Sequence, residues 1–159
     1  MSNQTDDRPR AVRNNNPGNI RELPGGGIHW EGERTTDDDP AFEEFETPAM
    51  GFRALARTLL TYKRRHGLDQ ISTIIARWAP PNENDTQKYI AFVAKQMAAD
   101  PGQVLDMEHR ANLIVFCCAI ARKEAGYRKN GSDWWNLEDI AAGVDLALAS
   151  APRKPVPGV

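Results

Sequence analysis

The chain has 159 residues, of which 40% are hydrophobic and 26% are charged, which is enough for one domain with a hydrophobic core and little more. Its net charge of −2 disfavours a nucleic-acid-binding protein, since such proteins usually carry a basic excess. No stretch approaches the roughly 20 apolar residues of a membrane helix, and the polar N-terminus predicts no signal peptide. We therefore expect no membrane insertion and no nucleic-acid partner.

The chain is expected to form one domain between two disordered ends. Residues 1–11 are polar, and residues 150–159 contain three prolines, so both lack the apolar side chains of a folded segment. Residues 12–149 form the predicted domain. We expect its fold to be α+β: mostly helical, with a small N-terminal β region.

Residues 13–21, Arg-Asn-Asn-Asn-Pro-Gly-Asn-Ile-Arg, are predicted to form a turn. Asparagine is unfavourable in helices and strands, and Pro17-Gly18 is typical of a turn. Side-chain amides at fixed positions can exchange hydrogen bonds with neutral polar ligands such as sugars. The same amides can also cap their own backbone, so the residues alone leave both interpretations open.

A polar region with turn signals follows, and it contains candidate strands at residues 19–23, 28–31 and 41–45. Eight acidic residues surround these segments, and we interpret the acidic cluster as a solvated loop. They are Glu31, Glu33, Asp37, Asp38, Asp39, Glu43, Glu44 and Glu46.

Five helices are predicted from residue 47 onward, with clear capping signals. Thr47 and Pro48 begin the first helix, and Gly67 follows its end. Arg53 and Arg57 are assigned to its solvated face. The fourth helix is the most apolar and is expected to be central. The predicted ranges are 48–66, 71–79, 86–99, 108–125 and 137–149.

The sequence shows no recognisable metal site, cofactor motif or cysteine nucleophile. Its three histidines are scattered without paired spacing. The run of aspartates at 37–39 lacks the spacing and glycine of a calcium loop. Cys117 and Cys118 lie in an apolar run and are predicted to be core residues. We therefore expect no metal and no cofactor.

Glu124 is the candidate catalytic residue. It lies near the end of the most apolar predicted helix, where partial burial and the negative end of the helix dipole both favour the protonated carboxyl that a general acid needs. A surface glutamate paired with Arg128 or Lys129 is the alternative. Aromatic side chains would offer apolar faces to sugar rings, although each is also compatible with core packing. The aromatic candidates are Trp30, Tyr62, Trp78 and Tyr89.

The order of several motifs over residues 12–126 resembles a family of phage and prophage proteins, described as virion structural proteins or lysozyme-like peptidoglycan hydrolases. The asparagine-rich motif of residues 13–21 opens the resemblance. The motifs that continue it are Trp30-x-Gly32, Phe42-x-x-Phe45, Gly51-Phe-Arg-Ala54 and Trp78-Ala-Pro-Pro-Asn-Glu-Asn-Asp-Thr86 with Tyr89.

Residues 15–21, residues 42–45 and the helix that follows are also similar, more distantly, to bacterial glucosaminidases and related lysozyme-fold enzymes. In those enzymes the helix that ends in the catalytic glutamate precedes these segments, whereas here Ala121-Arg-Lys-Glu-Ala-Gly126 follows them. The resemblance implies a circularly permuted lysozyme-like domain with Glu124 as the acid. Compact domains often have neighbouring termini, and such termini make a circular permutation physically feasible. The resemblance places the end of the fourth helix beside the turn of residues 14–19.

The resemblance implies cleavage of the β-1,4 bond between N-acetylmuramic acid and N-acetylglucosamine, by a peptidoglycan lytic transglycosylase or a muramidase. The transglycosylase is favoured because it needs one acid and the sugar's own 6-hydroxyl, whereas hydrolysis needs a second carboxylate or a positioned water. Candidates for the second carboxylate are Glu22, Glu43, Glu44 and Glu46. The expected substrate-binding residues are Asn15, Asn16, Asn19, Arg21, Trp30, Tyr62, Trp78 and Tyr89.

The expected partners are peptidoglycan glycan strands and other virion proteins. The protein would be made in the host cytoplasm and then be carried by the virion or released to the periplasm and cell wall. Two other functions stay open: a non-catalytic virion structural or wall-binding protein, and a nucleic-acid-binding protein that uses a local patch of Arg53, Arg57 and Arg64.

Overall fold

The computed structural model describes residues 5–82 and 84–150. Of the two ends that were predicted to be disordered, residues 1–4 and 151–159 lie outside the described residues. The described chain is mostly helical, as predicted. Its helices are α1 (Arg10–Arg13), α2 (Pro48–His66), α3 (Ile71–Trp78), α4 (Thr86–Met97), α5 (Arg110–Ala125) and α6 (Leu137–Ala149).

The five long helices match the predicted ones, and three of them, α2, α4 and α6, begin at a residue whose side chain caps the helix. Thr47 begins α2 and accepts a hydrogen bond from the Met50 amide at 3.3 Å. Gly67 ends it in the left-handed conformation, with φ of +64°, which glycine adopts without strain. Asn136 caps α6 through the Asp139 amide at 2.8 Å. The ends of α2 and α6 agree with the prediction, and those of α3, α4 and α5 differ by one or two residues.

Helix α1 falls partly within the segment that was predicted to be a disordered leader. Ala11 is 1% exposed and, together with Val12, belongs to the main hydrophobic core, where α1 contacts α5. Arg10 forms an ion pair with Asp39 at 2.6 Å. A helix of four residues has little stability of its own, so these tertiary contacts order it.

The main core lies between the long helices. Helix α2 packs most extensively against α6, and α5 contacts α1, α2, α4 and α6, which agrees with its expected central position. Cys117 is fully buried and Cys118 is half-buried. In the part of the chain that the structure describes, no helix combines the length and apolar character needed to cross a bilayer.

The predicted strands are replaced by irregular pairing. In residues 12–46 the described backbone forms only two isolated antiparallel bridges, Arg21 with Phe42 and Glu33 with Phe45. The candidate strands at 19–23 and 41–45 each contribute to these bridges, whereas the candidate strand at 28–31 does not, and Glu33 lies just after it. Three successive glycines, Gly25 to Gly27, have positive φ values, so the chain turns there instead of extending.

The acidic cluster is not a solvated loop throughout, as four of its members are buried: Glu33, Asp39, Glu43 and Glu44. Carboxylates here accept hydrogen bonds from backbone amides, which in a regular sheet would donate to a neighbouring strand. Glu44 accepts from the amides of Asp38 and Asp39 at 2.7 and 3.0 Å. Glu33 accepts from the amides of His29 and Trp30 at 2.7 and 2.8 Å. The prediction of a solvated loop was therefore wrong for these residues.

The predicted solvated face of α2 is also corrected. Arg53 and Arg57 are 8% and 6% exposed, since α6 and Ser150 cover this side of α2. Arg53 pairs with Glu31 at 2.8 Å, and Arg57 donates to the Ser150 carbonyl at 3.2 Å. These two arginines therefore do not form an exposed basic patch with Arg64.

Candidate active site

A cleft of about 400 Å³ lies between the asparagine-rich turn and the helical body. Residues 18–23 form one side, together with Trp30 and Phe42. Helix α2 contributes Thr58 and Tyr62, and the end of α3 contributes Arg77 and Trp78. Glu124, near the end of α5, completes the wall. The cleft thus combines aromatic surfaces with polar side chains, which is typical of a small-molecule or sugar site.

Glu124 is half-buried and both of its oxygens accept hydrogen bonds. The Asn19 amide nitrogen donates to Oε2 at 3.0 Å, and the Tyr89 hydroxyl donates to Oε1 at 2.9 Å. Asn19 and Glu124 are 105 residues apart in the sequence. The prediction that the end of the fourth long helix lies beside the asparagine-rich turn is therefore confirmed.

Tyr89 connects Glu124 to Trp78 at the end of α3. Its hydroxyl accepts a hydrogen bond from the Trp78 indole nitrogen at 3.2 Å while it donates to Glu124. Tyr89 is 4% exposed, and burial, followed by the neighbouring charge of Glu124, raises the pKa of its hydroxyl. Tyr89 therefore stays protonated and acts as a fixed donor that sets the orientation of the Glu124 carboxylate.

The conformation of Asn19 explains why an asparagine serves at this position. Its φ is +45°, in the left-handed region that asparagine tolerates better than most residues. Gly18 precedes it, and an added Cβ there would lie 2.9 Å from the Trp78 ring, so the turn packs closely on that indole. An amide can donate to a carboxylate, and after rotation its oxygen can accept from a carboxylic acid. Asn19 is thus compatible with either protonation state of Glu124.

The other predicted binding residues divide into two groups. Arg21, Trp30, Tyr62 and Trp78 line the cleft, whereas Asn15, Asn16 and the buried Tyr89 do not. The Asn15 amide donates to the Phe45 carbonyl at 3.1 Å.

Asn16 is fully buried and its amide is committed to the backbone. It donates to the carbonyls of Ile20 and Glu43, both at 3.0 Å, and accepts from the Ile20 amide at 2.9 Å. The structure corrects the expectation for Asn15 and Asn16, because their amides hold the turn together instead of facing the cleft. Binding to the backbone therefore accounts for Asn15 and Asn16, whereas Asn19 lines the cleft.

Among the four candidates for a second carboxylate, Glu22 lines the cleft together with Glu124. Glu44 is buried and bound to backbone amides and to Arg34, and Glu46 is exposed on the following turn. Glu43 is fully buried. Of the four, Glu22 is thus the residue placed to act on a ligand in the cleft.

Glu22, Glu33 and Glu43 form a carboxylate cluster behind that wall, with one oxygen of each within 4.8 Å of the others. Burial, then the adjacent Glu33 and Glu22 carboxyls, raises the pKa of Glu43 to about 9. Burial and the charge of Asp37 also raise the pKa of Glu22. The sequence analysis missed this cluster because Glu33 and Glu43 come together through irregular loop pairing, which has no periodic signal.

The alternative surface role of Glu124 is not what the structure shows. Arg128 lies over the Trp134 ring, 4.4 Å from its centroid, and donates to the Asp133 carbonyl at 3.2 Å. Lys123 approaches the rings of Tyr89 and Phe92 at 5.8 and 5.6 Å. Glu124 is instead held by the neutral donors Asn19 and Tyr89.

Comparison with known proteins gives one informative result. No protein-family model matches the chain. Protein P5 of Pseudoalteromonas phage PM2 is 52% identical over 142 residues, which cover 89% of this chain and 84% of that protein. Identity at this level over almost the whole domain shows common descent. The chain therefore belongs to the family of the phage PM2 protein P5.

Proposed function

We propose that this protein cleaves the glycan strands of peptidoglycan, with Glu124 as the general acid. The observation that carries the proposal is the half-buried Glu124 carboxyl, which Asn19 and Tyr89 orient at the wall of a cleft with aromatic sides. Such a cleft offers apolar surfaces to sugar rings, and Arg21 and Asn84 offer polar groups to their hydroxyls. The motif resemblance supports the same conclusion, and the phage relative agrees with the phage origin that this resemblance implies.

The proposed reaction breaks the bond between C1 of N-acetylmuramic acid and O4 of N-acetylglucosamine. Protonated Glu124 gives its proton to O4 as this bond breaks. In a lytic transglycosylase the 6-hydroxyl of the same muramic acid then attacks C1, and its proton returns to the Glu124 carboxylate. The products are a 1,6-anhydro end and a free 4-hydroxyl, and no water is consumed.

The position of Glu22 favours the transglycosylase over the hydrolase. A muramidase would need a second carboxylate as nucleophile or base, and of the four candidates Glu22 lines the cleft. One oxygen of Glu22, however, lies within 4.8 Å of oxygens of Glu33 and Glu43. A carboxyl engaged in that cluster is poorly placed to serve as a separate base.

Product analysis with a matched pair of variants tests the proposal. Purified peptidoglycan is incubated with wild type, Glu124→Gln and Glu138→Gln, the last being an exposed glutamate on α6. We expect anhydro-muramic ends from wild type and Glu138→Gln, and a rate at least about 100-fold lower for Glu124→Gln, since general acid catalysis contributes about 100- to 10,000-fold. Cleavage by Glu124→Gln at the wild-type rate would refute the role of Glu124.

A non-catalytic wall-binding or virion structural protein is the second candidate. It is favoured by the two hydrogen bonds that Glu124 receives from the protein itself, because a purely structural carboxylate would be held in the same way. Sedimentation with peptidoglycan separates the two functions. Binding without any new chain ends, unaffected by Glu124→Gln, would support this second candidate.

A further inference from the structure

The geometry points to a calcium site formed by Glu22, Glu33 and Glu43, on the far side of the cleft wall. One oxygen of each carboxylate lies within 4.8 Å of the others. Glu43 is fully buried, and neither of its oxygens has a hydrogen-bond partner among the described residues. A buried carboxylate without donors is unstable unless a cation or a proton neutralises it.

The arrangement of Glu33 prepares it for a ligand. Its Oε2 accepts the His29 and Trp30 amides at 2.7 and 2.8 Å, which fixes the carboxylate and leaves Oε1 for another partner. A cavity of about 60 Å³ adjoins the carboxylate cluster and is lined by Glu22 and Glu33. This volume exceeds what a single water needs, so an ion and a bound water fit beside the carboxylates.

The ligand set selects a hard cation. Carboxylate oxygens without histidine or thiolate favour calcium, magnesium or manganese over zinc or copper. Calcium accepts six to eight oxygens at about 2.3–2.6 Å in irregular geometry, whereas magnesium requires a near-ideal octahedron at about 2.0–2.1 Å. Because these three glutamates come from irregular loops, one of them glycine-rich, calcium fits better. Such an ion would hold the loop that carries Trp30 against the segment that carries Glu22.

Terbium luminescence tests the site, because terbium replaces calcium at oxygen sites and the backbone of Trp30 is bonded to Glu33. We expect saturable tryptophan-sensitised emission from wild type that calcium displaces. Glu43→Gln should weaken terbium binding at least about tenfold, as loss of a coordinating or supporting group does. Glu46→Gln, an exposed glutamate close by, should bind as wild type does.

Glu22→Gln provides a second measurement in case Glu43→Gln does not fold, because Glu22 is half-buried and its replacement is milder. Calcium should raise the melting temperature of wild type but not of Glu22→Gln, and a chelator should reverse the rise. Absence of saturable emission, or equal terbium affinity in Glu22→Gln, would show that the carboxylate cluster is neutralised by protons and would overturn the inference. Stronger displacement by magnesium than by calcium would overturn the choice of ion.

Discussion

Replacing Tyr89 with phenylalanine removes the hydroxyl that links Trp78 to Glu124 and leaves the ring in place. The variant loses a hydrogen bond to a carboxylate, worth about 1.5–3 kcal/mol, and leaves the Trp78 indole without this acceptor, at about 1 kcal/mol. Glu124 is only half-buried, so water replaces part of the lost bond. We therefore expect the free energy of unfolding to fall by about 2 kcal/mol, which corresponds to about 4–8 °C in melting temperature for a domain of this size.

Urea unfolding of Tyr89→Phe, with Tyr127→Phe as the matched control, measures this loss. Tyr127 is 46% exposed, so its hydroxyl can be removed with little effect. Cleavage of peptidoglycan should also slow by about 10- to 100-fold, because a misplaced acid no longer meets the leaving oxygen. If the two variants unfold within about 0.5 kcal/mol of each other, the proposed chain of hydrogen bonds does not stabilise the site.

Two further pairs of variants test the asparagine-rich turn and the ion pair that supports it. Asn19→Gly keeps the left-handed backbone and removes the side-chain amide, so cleavage should fall about tenfold; equal cleavage rates for wild type and Asn19→Gly would contradict a role of the amide. Asn19→Ala adds backbone strain as well, which should lower the free energy of unfolding in urea by about 1 kcal/mol. Burial raises the pKa of Asp39, but Arg10 and Asn14 outweigh it and lower the pKa to about 2. Asp39→Asn should therefore lose about 2 kcal/mol above pH 4, a difference from wild type that shrinks as the pH falls towards 2; Asp37→Asn, at an exposed position, is the matched control.

The helices were predictable because their signals are local. Thr47 and Gly67 cap α2 in the structure as in the prediction, and Asn136 caps α6 at the predicted start of that helix. The segment before α2 was less predictable, because its order depends on contacts distant in sequence. Ala11 is held by α5, and Asp39 is held by Arg10, which lies 29 residues away. Neither contact leaves a periodic pattern in the chain.

The candidate site was predictable in part. Glu124 and Asn19 were brought together by an argument from motif order, and their hydrogen bond agrees with it. The roles of Asn15 and Asn16 could not be read from residue type, since an amide that binds a ligand and one that binds the backbone look alike in sequence. The burial of Glu43 was equally hidden, because an acidic residue within an acidic segment normally faces solvent.

The contact between Asn19 and Glu124 also determines when the site can exist during folding. Its two halves are separated by 105 residues, and the chain must close this large loop before the contact forms, at an entropic cost that grows with loop length. Helices α2 to α4 can form from local signals before that closure, without the acid in place. A growing or truncated chain that stops before residue 124 therefore lacks the proposed acid, and it also lacks part of the α5 packing that orders α1. Recovery of the proposed cleavage during refolding would report on the docking of α5, which helix content alone does not measure.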